Sequence, residues 1–322
     1  MRTATLLILV LCTFGGVCGG TETVRVALDW TPNTNHSGLL VARDLGFFDE
    51  VGLDLRLLEP GPTVALQLVA VGQADFGISS QEYVTMARAA GIPVVSVAAL
   101  YPHNTSGFAV PTDRGIASPR DFAGKTYAGW GSEMEELMIR TAMELDGADP
   151  DAVEFVGIGT IDFTTAVRLD IADFYWIFFG WQGVHAALEG IAFDYLPLRN
   201  LADVLDYYTP VLIASERTIR DRPELVVRFL AATGRGYTTA TTDPATAAEA
   251  LLAHAPELDR TLVVASQHWL VDQSESDLAR WGRQEASVWA DFAAWAVDNG
   301  LIETAINPAA AFTNVFLPAE TE

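Results

Sequence analysis

The feature that most constrains the fold of this chain is an alternation of helical patterns with short runs rich in β-branched residues. The alternation extends through one series of elements and then starts again in a second series. The first series contains predicted strands at Thr23–Leu28, Leu53–Leu58 and Val94–Ala99. The second opens with a strand at Lys125–Ala128 and a helix over Glu133–Leu145, which the spacing of Ser132 and Glu135 predicts to begin with a capping box. Strands that alternate with helices predict an α/β fold with a mainly parallel sheet. Because the pattern restarts, we predict two such units.

These units are predicted to be two α/β lobes joined by two crossovers, near residues 110–112 and 210–213. Residues 112–211 would form lobe 2. Residues 21–111 would form lobe 1 together with residues 212–322, because the chain beyond residue 214 is predicted to be almost entirely helical. A two-stranded connection makes a hinge, and clefts between domains are favoured ligand sites.

A long final helix over Glu275–Asn299 is predicted to bury an apolar stripe. Its large apolar side chains recur at helical spacing, at Leu278, Trp281, Val288, Phe292 and Trp295. Such a stripe is typical of a helix face that packs on a core. We therefore assign it to the core and not to a ligand site.

The first residues are typical of an export signal. Arg2 precedes an apolar run over residues 4–12, and small residues cluster from Gly15 to Gly20. This pattern predicts a signal peptide over residues 1–20. The mature chain would then be exported, to the periplasm or to the outer face of the cytoplasmic membrane.

Both cysteines, Cys12 and Cys18, lie inside that segment. The mature domain would therefore contain no disulfide and no thiolate metal site. Two forms of processing are open: cleavage near Gly19, or lipidation of Cys18 as the first residue of a lipoprotein. A lipid on Cys18 would be the only membrane attachment that we predict.

Charge excludes one large class of partners. The chain has 19 basic and 42 acidic residues, a formal net charge of −23, and its only lysine is Lys125. A protein that binds the phosphate backbone of nucleic acid needs basic surface, so nucleic acid is not a predicted partner. The acidic composition fits either a GC-rich genome or a saline habitat.

The sequence contains no recognisable catalytic or metal motif. It has no HExxH, no Gly-x-Ser-x-Gly, no phosphate-binding Walker loop and no CxxC, and its five histidines show no metal-ligand spacing. We therefore predict no catalytic residues, no metal and no cofactor.

Four clusters of aromatic and polar residues are the candidate ligand-binding residues, each at a predicted strand-to-helix junction. Such junctions form the ligand-facing edge of an open α/β sheet. In the first cluster, residues 29–38, the candidates are Trp30, Asn35 and His36. Two alternatives remain open there: Trp30 buried beneath its loop, and His36 bonded to the local backbone.

The second cluster covers residues 79–83 and contributes Ser79, Glu82 and Tyr83. Its serines can cap the helix that follows, and Glu82 could either bind a ligand or favour the helix dipole. In the third cluster, Trp130 lies between Gly129 and Gly131, which leaves its indole open to a ligand.

The fourth cluster has six aromatic residues within residues 173–182, more than a core strand needs. Alternation along a strand places at least one face in the core. The members assigned to the cleft are Tyr175, Trp176, Phe178, Phe179 and Trp181. Together the four clusters predict a flat, partly polar ligand held by ring stacking.

Three stretches carry a specific resemblance: LDWTPNTNHSG at residues 28–38, DLGFF with GL at residues 44–53, and GQADFG at residues 72–77. With WIFFGWQG at residues 176–183, they resemble the ABC-transporter periplasmic substrate-binding proteins of the thiamine-pyrimidine-precursor family. That family is related to yeast thiamine-pyrimidine synthase and to the sulfonate and nitrate binding proteins. The resemblance covers essentially all of the mature chain.

The resemblance implies a type II periplasmic-binding-protein fold and a monomer that delivers a small heteroaromatic ligand to an ABC permease and its ATPase. A formylaminopyrimidine follows the nearest resemblance, and riboflavin is the alternative. A sensor role and a synthase-like enzyme are further alternatives. The synthase uses a lysine-bound pyridoxal phosphate; its histidine corresponds to His36, but its lysine falls at Ser79 and its cysteine-rich loop has no counterpart.

Overall fold

The computed structural model describes residues 21–61, 63–159 and 161–319. The predicted signal peptide, including Cys12 and Cys18, lies outside these residues. The strands are β1 (Glu22–Ala27), β2 (Leu53–Leu58), β3 (Phe76–Ser79), β4 (Val94–Ala99), β5 (Ser106–Pro111), β6 (Thr126–Gly129), β7 (Glu154–Gly157), β8 (Phe174–Phe178), β9 (Phe193–Pro197) and β10 (Val211–Ser215).

Helices flank the strands, as the alternation predicts. They are α1 (Ser37–Asp44), α2 (Phe47–Glu50), α3 (Ala65–Ala70), α4 (Gln81–Ala89), α5 (Glu133–Leu145), α6 (Phe163–Arg168), α7 (Val184–Leu188), α8 (Glu216–Asp221), α9 (Pro223–Thr242), α10 (Pro244–His254), α11 (Arg260–Val271) and α12 (Ala286–Asp298). Within the described ranges, every helix is too short or too polar to span a membrane.

The strands form two five-stranded sheets, one in each lobe. The first has the order β2-β1-β3-β10-β4 and the second β7-β6-β8-β5-β9. Neighbouring strands are parallel except where β10 or β5 takes part. Each of these two strands follows a crossover from the other sheet, which confirms the predicted architecture of two α/β lobes.

The first crossover differs from its predicted position. Strand β5, which the sequence pattern did not predict, pairs with β8 and β9 of the second sheet. The chain therefore passes between the sheets within residues 100–105, before the predicted 110–112. All six residues of β5 are buried, so the strand has no alternation of polar and apolar residues, and Gly107 and Pro111 weaken its strand signal further.

The predicted helix over Glu275–Asn299 is wrong in its first part, because only residues 286–298 are helical. Gly282 has a φ of +81°, a left-handed conformation that ends a helix. Its backbone bridges to Ala99 at the edge of the first sheet. Trp281 and Phe292 are nevertheless buried, which confirms the core assignment for these two residues.

Helix α12 packs on both lobes. Its Trp289 belongs to a core cluster with Val84 and Val211 of the first lobe. Phe292, one turn further on, belongs to the cluster around Phe108 of the second lobe. The segment after residue 212 is therefore shared between the lobes and does not pack on lobe 1 alone.

A buried carboxylate holds the edge of the first sheet remote from the cleft. Asp75 accepts hydrogen bonds from the Arg25 backbone N–H at 2.9 Å, from Arg25 Nε at 3.2 Å and from Arg222 Nη1 at 2.6 Å. Burial raises the pKa of Asp75, but these donors outweigh it and the pKa is lowered overall. The ionised carboxylate therefore stabilises the junction of β3 with the turn before α9.

Candidate functional site

The four predicted clusters lie at the carboxyl ends of β1, β3, β6 and β8. The two lobes approach each other here. Burial raises the pKa of Tyr83 in lobe 1, and the charges of Glu82 and of Glu135 in lobe 2 raise it further. Met86, one turn along α4, packs against the core cluster of the second lobe. The second cluster therefore faces the third across the cleft.

Three aromatic side chains are exposed at these strand ends: Trp30 is 48%, Tyr83 53% and Trp130 40% exposed. The ring centroid of Trp130 lies 6.4 Å from that of Trp176 and 6.5 Å from that of Phe178. Exposed large rings beside a buried aromatic wall are suited to stacking on a flat ligand.

The loop that carries Trp130 is fixed by Glu135 in the first turn of α5. One carboxylate oxygen accepts from the Tyr127 hydroxyl at 2.5 Å and from the Trp130 backbone N–H at 2.9 Å. The other accepts from the Ser132 N–H at 2.8 Å, and Ser132 Oγ in turn caps the helix. This is the capping box that the sequence pattern predicts.

Glycine is required within this loop. A Cβ added at Gly129 would lie 2.0 Å from Glu135 Oε1, and Gly131 has a φ of +84°. The glycines therefore allow the carboxylate to reach the backbone while the Trp130 ring stays open to the cleft.

The second cluster is tied to the hinge through Gln81. Its side-chain oxygen accepts from the Tyr208 backbone N–H at 2.9 Å, and its side-chain nitrogen donates to the Val288 carbonyl at 3.1 Å. Gln81 thus connects the start of α4 to the second crossover and to the residues at the start of α12. Ser79 is buried at the end of β3, beside this connection.

Glu82 is the unusual group of the site. It is buried, and its Oε2 has no hydrogen-bond partner among the described residues. Burial raises the pKa of Glu82 to about 7, against the opposing effects of the nearby Ser80 hydroxyl and the residue's own backbone N–H. A buried carboxyl without a partner is costly, and it is a signature of a site completed by a ligand.

His36 takes a different position from the predicted one. It is fully buried; its Nδ1 accepts from the Asn33 backbone N–H at 3.2 Å, and its Nε2 lies 2.9 Å from Asp29 Oδ1. Because Nδ1 is an acceptor, Nε2 carries the proton and donates to Asp29. His36 therefore orders the loop, as the local alternative predicted, and leaves no free nitrogen for a ligand.

Asp29 is a candidate that sequence reasoning missed. Its side chain is 36% exposed and is held by His36. Its position just beyond the end of β1 and directly before Trp30 is the signal that could have identified it. Asn35 is half-buried in the same loop, where its carbonyl accepts from the Tyr237 hydroxyl at 2.7 Å.

The fourth cluster divides into three groups. Trp176 is buried beside Trp130, its Nε1 has no partner among the described residues, and Phe178 is half-buried next to it. Tyr175 packs into the core on the other face of β8, where its hydroxyl donates to the backbone at Ala166 and Ala172, and it also lines the recess beside Trp130. The reason is strand alternation, which turns it away from Trp176.

Phe179 and Trp181 follow the end of β8 and are half-buried. They lie in a π-helical turn, Phe179–Gly183, that packs on helices from the other end of the chain. The Phe179 ring lies 5.2 Å from that of Trp269 on α11, and Trp181 packs against the α1 and α10 cluster. Their rings therefore make contacts with elements from both ends of the chain.

Two recesses lie near these residues. The one beside Trp130, Ile158 and Gln182 has a volume of about 20 Å³, room for about one or two water molecules. That volume is too small for a ring ligand, and all the lining residues belong to the second lobe. A second cavity, of about 410 Å³, lies at the crossovers near His103 and Trp281. We place the candidate site at the first because parallel strands end there.

This arrangement of two lobes with facing strand ends defines the class: the chain has the periplasmic-binding-protein fold. The aliphatic sulphonate binding protein SsuA from Escherichia coli superposes with a TM-score of 0.70 at 16% identity, covering 94% of each chain. The alkanesulfonate-binding protein SsuA from Xanthomonas axonopodis pv. citri gives 0.69 at 17% identity, covering 91% of this chain and 99% of that one.

The chain belongs to the NMT1/THI5-like family, whose model matches residues 33–247. It is 27% identical to a formylaminopyrimidine-binding protein of Halalkalibacterium halodurans, over 91% of this chain and 90% of that one. It is 32% identical to a 4-amino-5-hydroxymethyl-2-methylpyrimidine phosphate synthase of Legionella pneumophila, over 73% and 74%. The family thus contains proteins named as binders and proteins named as enzymes.

Proposed function

We propose that this chain is the extracytoplasmic substrate-binding component of an ABC importer, and that its ligand is a thiamine pyrimidine precursor of the formylaminopyrimidine type. The likeness to a protein of that name extends over nine-tenths of both chains. In this proposal the partners are a permease and its ATPase, and the mature chain acts outside the cytoplasm as a monomer, with Cys18 as a lipid anchor if it is modified.

One observation carries the choice of ligand. The buried, unpartnered carboxyl of Glu82 follows the end of β3 and is next in sequence to the exposed ring of Tyr83, which faces the second lobe that carries Trp130. Aromatic rings stack on a flat heterocycle, and a carboxyl group pairs with its amino and ring-nitrogen edge. A small aminopyrimidine offers both features.

A sulfonate fits the site less well. The four clusters contain no lysine or arginine, and both ring nitrogens of His36 are already engaged. An anion beside Glu82 would also be repelled when the carboxyl is ionised.

Riboflavin also fits less well. Its isoalloxazine would need a wide sandwich, for which Phe179 and Trp181 were the candidate walls. Phe179 instead contacts Trp269, and Trp181 packs against the α1 and α10 cluster.

The residues do not fit the pyridoxal phosphate chemistry of the synthase. That chemistry needs a lysine amine in the cleft to form a Schiff base. The only lysine, Lys125, donates to the Arg114 carbonyl at 2.7 Å, at the start of β6 and away from the cleft end of that strand. Ser79 occupies the position that we aligned with the synthase lysine.

The test is a titration of the purified protein, followed by tryptophan fluorescence, with a formylaminopyrimidine, riboflavin and an alkanesulfonate. We expect saturable quenching by the pyrimidine alone, without turnover. Tight riboflavin binding with no response to the pyrimidine would overturn the choice of ligand. A visible absorbance band on addition of pyridoxal phosphate, together with product formation, would overturn the binding role.

A further inference from the structure

We infer that ligand binding in this cleft is coupled to the uptake of one proton from solvent, held between the Glu82 carboxyl and the amino–ring-nitrogen edge of a neutral aminopyrimidine. This inference rests on the proposed function. It goes further because it names the recognised edge of the ligand and predicts a dependence of affinity on pH.

The geometry around Glu82 lacks the usual partner of a buried acid. Among the described residues no ion pair or hydrogen bond engages Oε2, and the influences on its ionisation are burial, a hydroxyl and a backbone N–H, with no cation among them. A buried carboxylate without a cation is strongly disfavoured in a medium of low dielectric constant.

The ionisable groups around Glu82 would not neutralise it. Tyr83 lies next to it on α4, Tyr207 lies on the second crossover, and Glu135 lies across the cleft on α5; the pKa values of both tyrosines are raised. His103 and Asp206, on the two crossovers, pair with each other at 2.7 Å. The proton therefore has to come from solvent.

The neutral carboxyl is the form that matches the ligand. A protonated carboxyl has one donor and one acceptor side by side. The edge of a 4-aminopyrimidine has the complementary pair, a ring-nitrogen acceptor next to an amino donor. Two parallel hydrogen bonds form, and the proton count is the same whether the carboxyl or the ring nitrogen holds the proton.

The direction of the pH effect follows from linkage. In the free protein the pKa of Glu82 is about 7, so above that pH the acid is mostly ionised and binding must take up a proton. Below it the proton is already present. Affinity for the pyrimidine should therefore be about tenfold weaker at pH 8 than at pH 6, since one proton is linked to binding.

The experiment is calorimetric titration of the mature protein with a formylaminopyrimidine, in buffers of different ionisation enthalpy at pH 6, 7 and 8. We expect uptake to rise from near zero at pH 6 towards one proton per ligand at pH 8. Glu82→Gln keeps a donor and an acceptor but cannot ionise, so its ratio of affinities between pH 6 and pH 8 should lie near one. Glu50→Gln, an exposed acid paired with Arg235 in the same lobe, is the matched control and should keep the wild-type ratio.

The outcomes separate this inference from the proposed function. If the pyrimidine does not bind at any of the three pH values, the proposed function fails. If it binds with no proton uptake at pH 8, the proposed function stands and the coupling is wrong. A Glu82→Gln variant that keeps the wild-type pH dependence would also contradict the coupling. A pyrimidine without the exocyclic amino group should bind weakly at every pH, and equal affinity for it would contradict the named edge.

Discussion

The carboxylate of Glu135 accepts the backbone N–H of Trp130 at 2.9 Å. The residue that presents its indole to the cleft is therefore held by the first turn of the helix that follows it. Recognition and helix capping share one side chain here, so a change at Glu135 should alter both stability and binding.

Trp130→Ala should weaken binding of the pyrimidine by about tenfold, because it removes a stacking surface worth roughly 0.5–1.5 kcal/mol beyond its area term. The ring is 40% exposed, so the free energy of unfolding should change little. Fluorescence titration and thermal unfolding measure the two effects. Trp289→Ala, in the buried core, is the contrasting control and should lower stability by about 3–5 kcal/mol. Unchanged affinity with a lowered Tm for Trp130→Ala would assign that ring to the core.

Glu135→Ala should lower the free energy of unfolding by about 1–3 kcal/mol, because it leaves the N–H groups of Trp130 and Ser132 without their acceptor. Affinity should fall as well, since the loop is no longer fixed. Denaturant unfolding and ligand titration on the same preparation test both effects. Glu136→Ala, the neighbouring acid, is the control; an equal loss of stability there would mean that general helix propensity, and not the capping box, is responsible.

His36→Ala should lower the stability of the protein more directly than it changes ligand contacts. The side chain is fully buried and bonds both Asn33 and Asp29, so we expect a loss of about 1–3 kcal/mol in unfolding free energy. Asp29→Asn should cost less stability, because that side chain is partly exposed. Differential scanning calorimetry distinguishes the variants. A His36→Ala protein of wild-type stability that no longer binds the pyrimidine would restore His36 as a ligand contact.

Asp75→Asn should destabilise the protein at pH 7, and this loss of stability should become smaller as the pH falls. The folded-state pKa of Asp75 is lowered, so its contribution is present above the unfolded pKa of about 4 and is lost as pH falls through the folded value. We expect a loss of about 1–3 kcal/mol at pH 7. Urea unfolding of the wild type and the variant at pH 7 and pH 3 measures the difference in unfolding free energy. If that difference were larger at pH 3 than at pH 7, the predicted direction of the pH dependence would be wrong.

Much of the fold was predictable because alternating strand and helix patterns are local. The bounds of β2, β4 and α5 match the predicted ones, and the capping box at Ser132 was predicted from spacing alone. Strand β5 was not predictable in this way, because it is buried on both faces and has no periodic signal. The turn at Gly282 depends on a bridge to Ala99, which is remote in sequence.

The same distinction between local and long-range signals applies to the residues of the candidate site. Strand-to-helix junctions identified Trp30, Glu82, Tyr83 and Trp130, which the structure leaves exposed or unpartnered at the strand ends. Aromatic density alone did not separate Trp176 from Tyr175, or Phe178 from Phe179. Which ring faces the cleft depends on the face of β8 and on contacts with α11, and neither can be counted from composition.

The helix shared by the two lobes has a consequence for the order of events during binding. Trp289 and Phe292 lie about 5 Å apart along α12, each in the core of a different lobe, so the pivot of any rotation between the lobes passes near that turn. The Gln81 side chain donates a hydrogen bond to the Val288 carbonyl, next to this turn of α12. The neighbouring Glu82 therefore lies close to the pivot and moves only a short distance when the lobes rotate. Because Glu82 is buried in this structure, a ligand reaches it only when the lobes part, and rings farther from the pivot travel further in that rotation. We expect a ligand to be read first by its polar edge and only then covered by aromatic rings, which stopped-flow fluorescence would record as two successive phases.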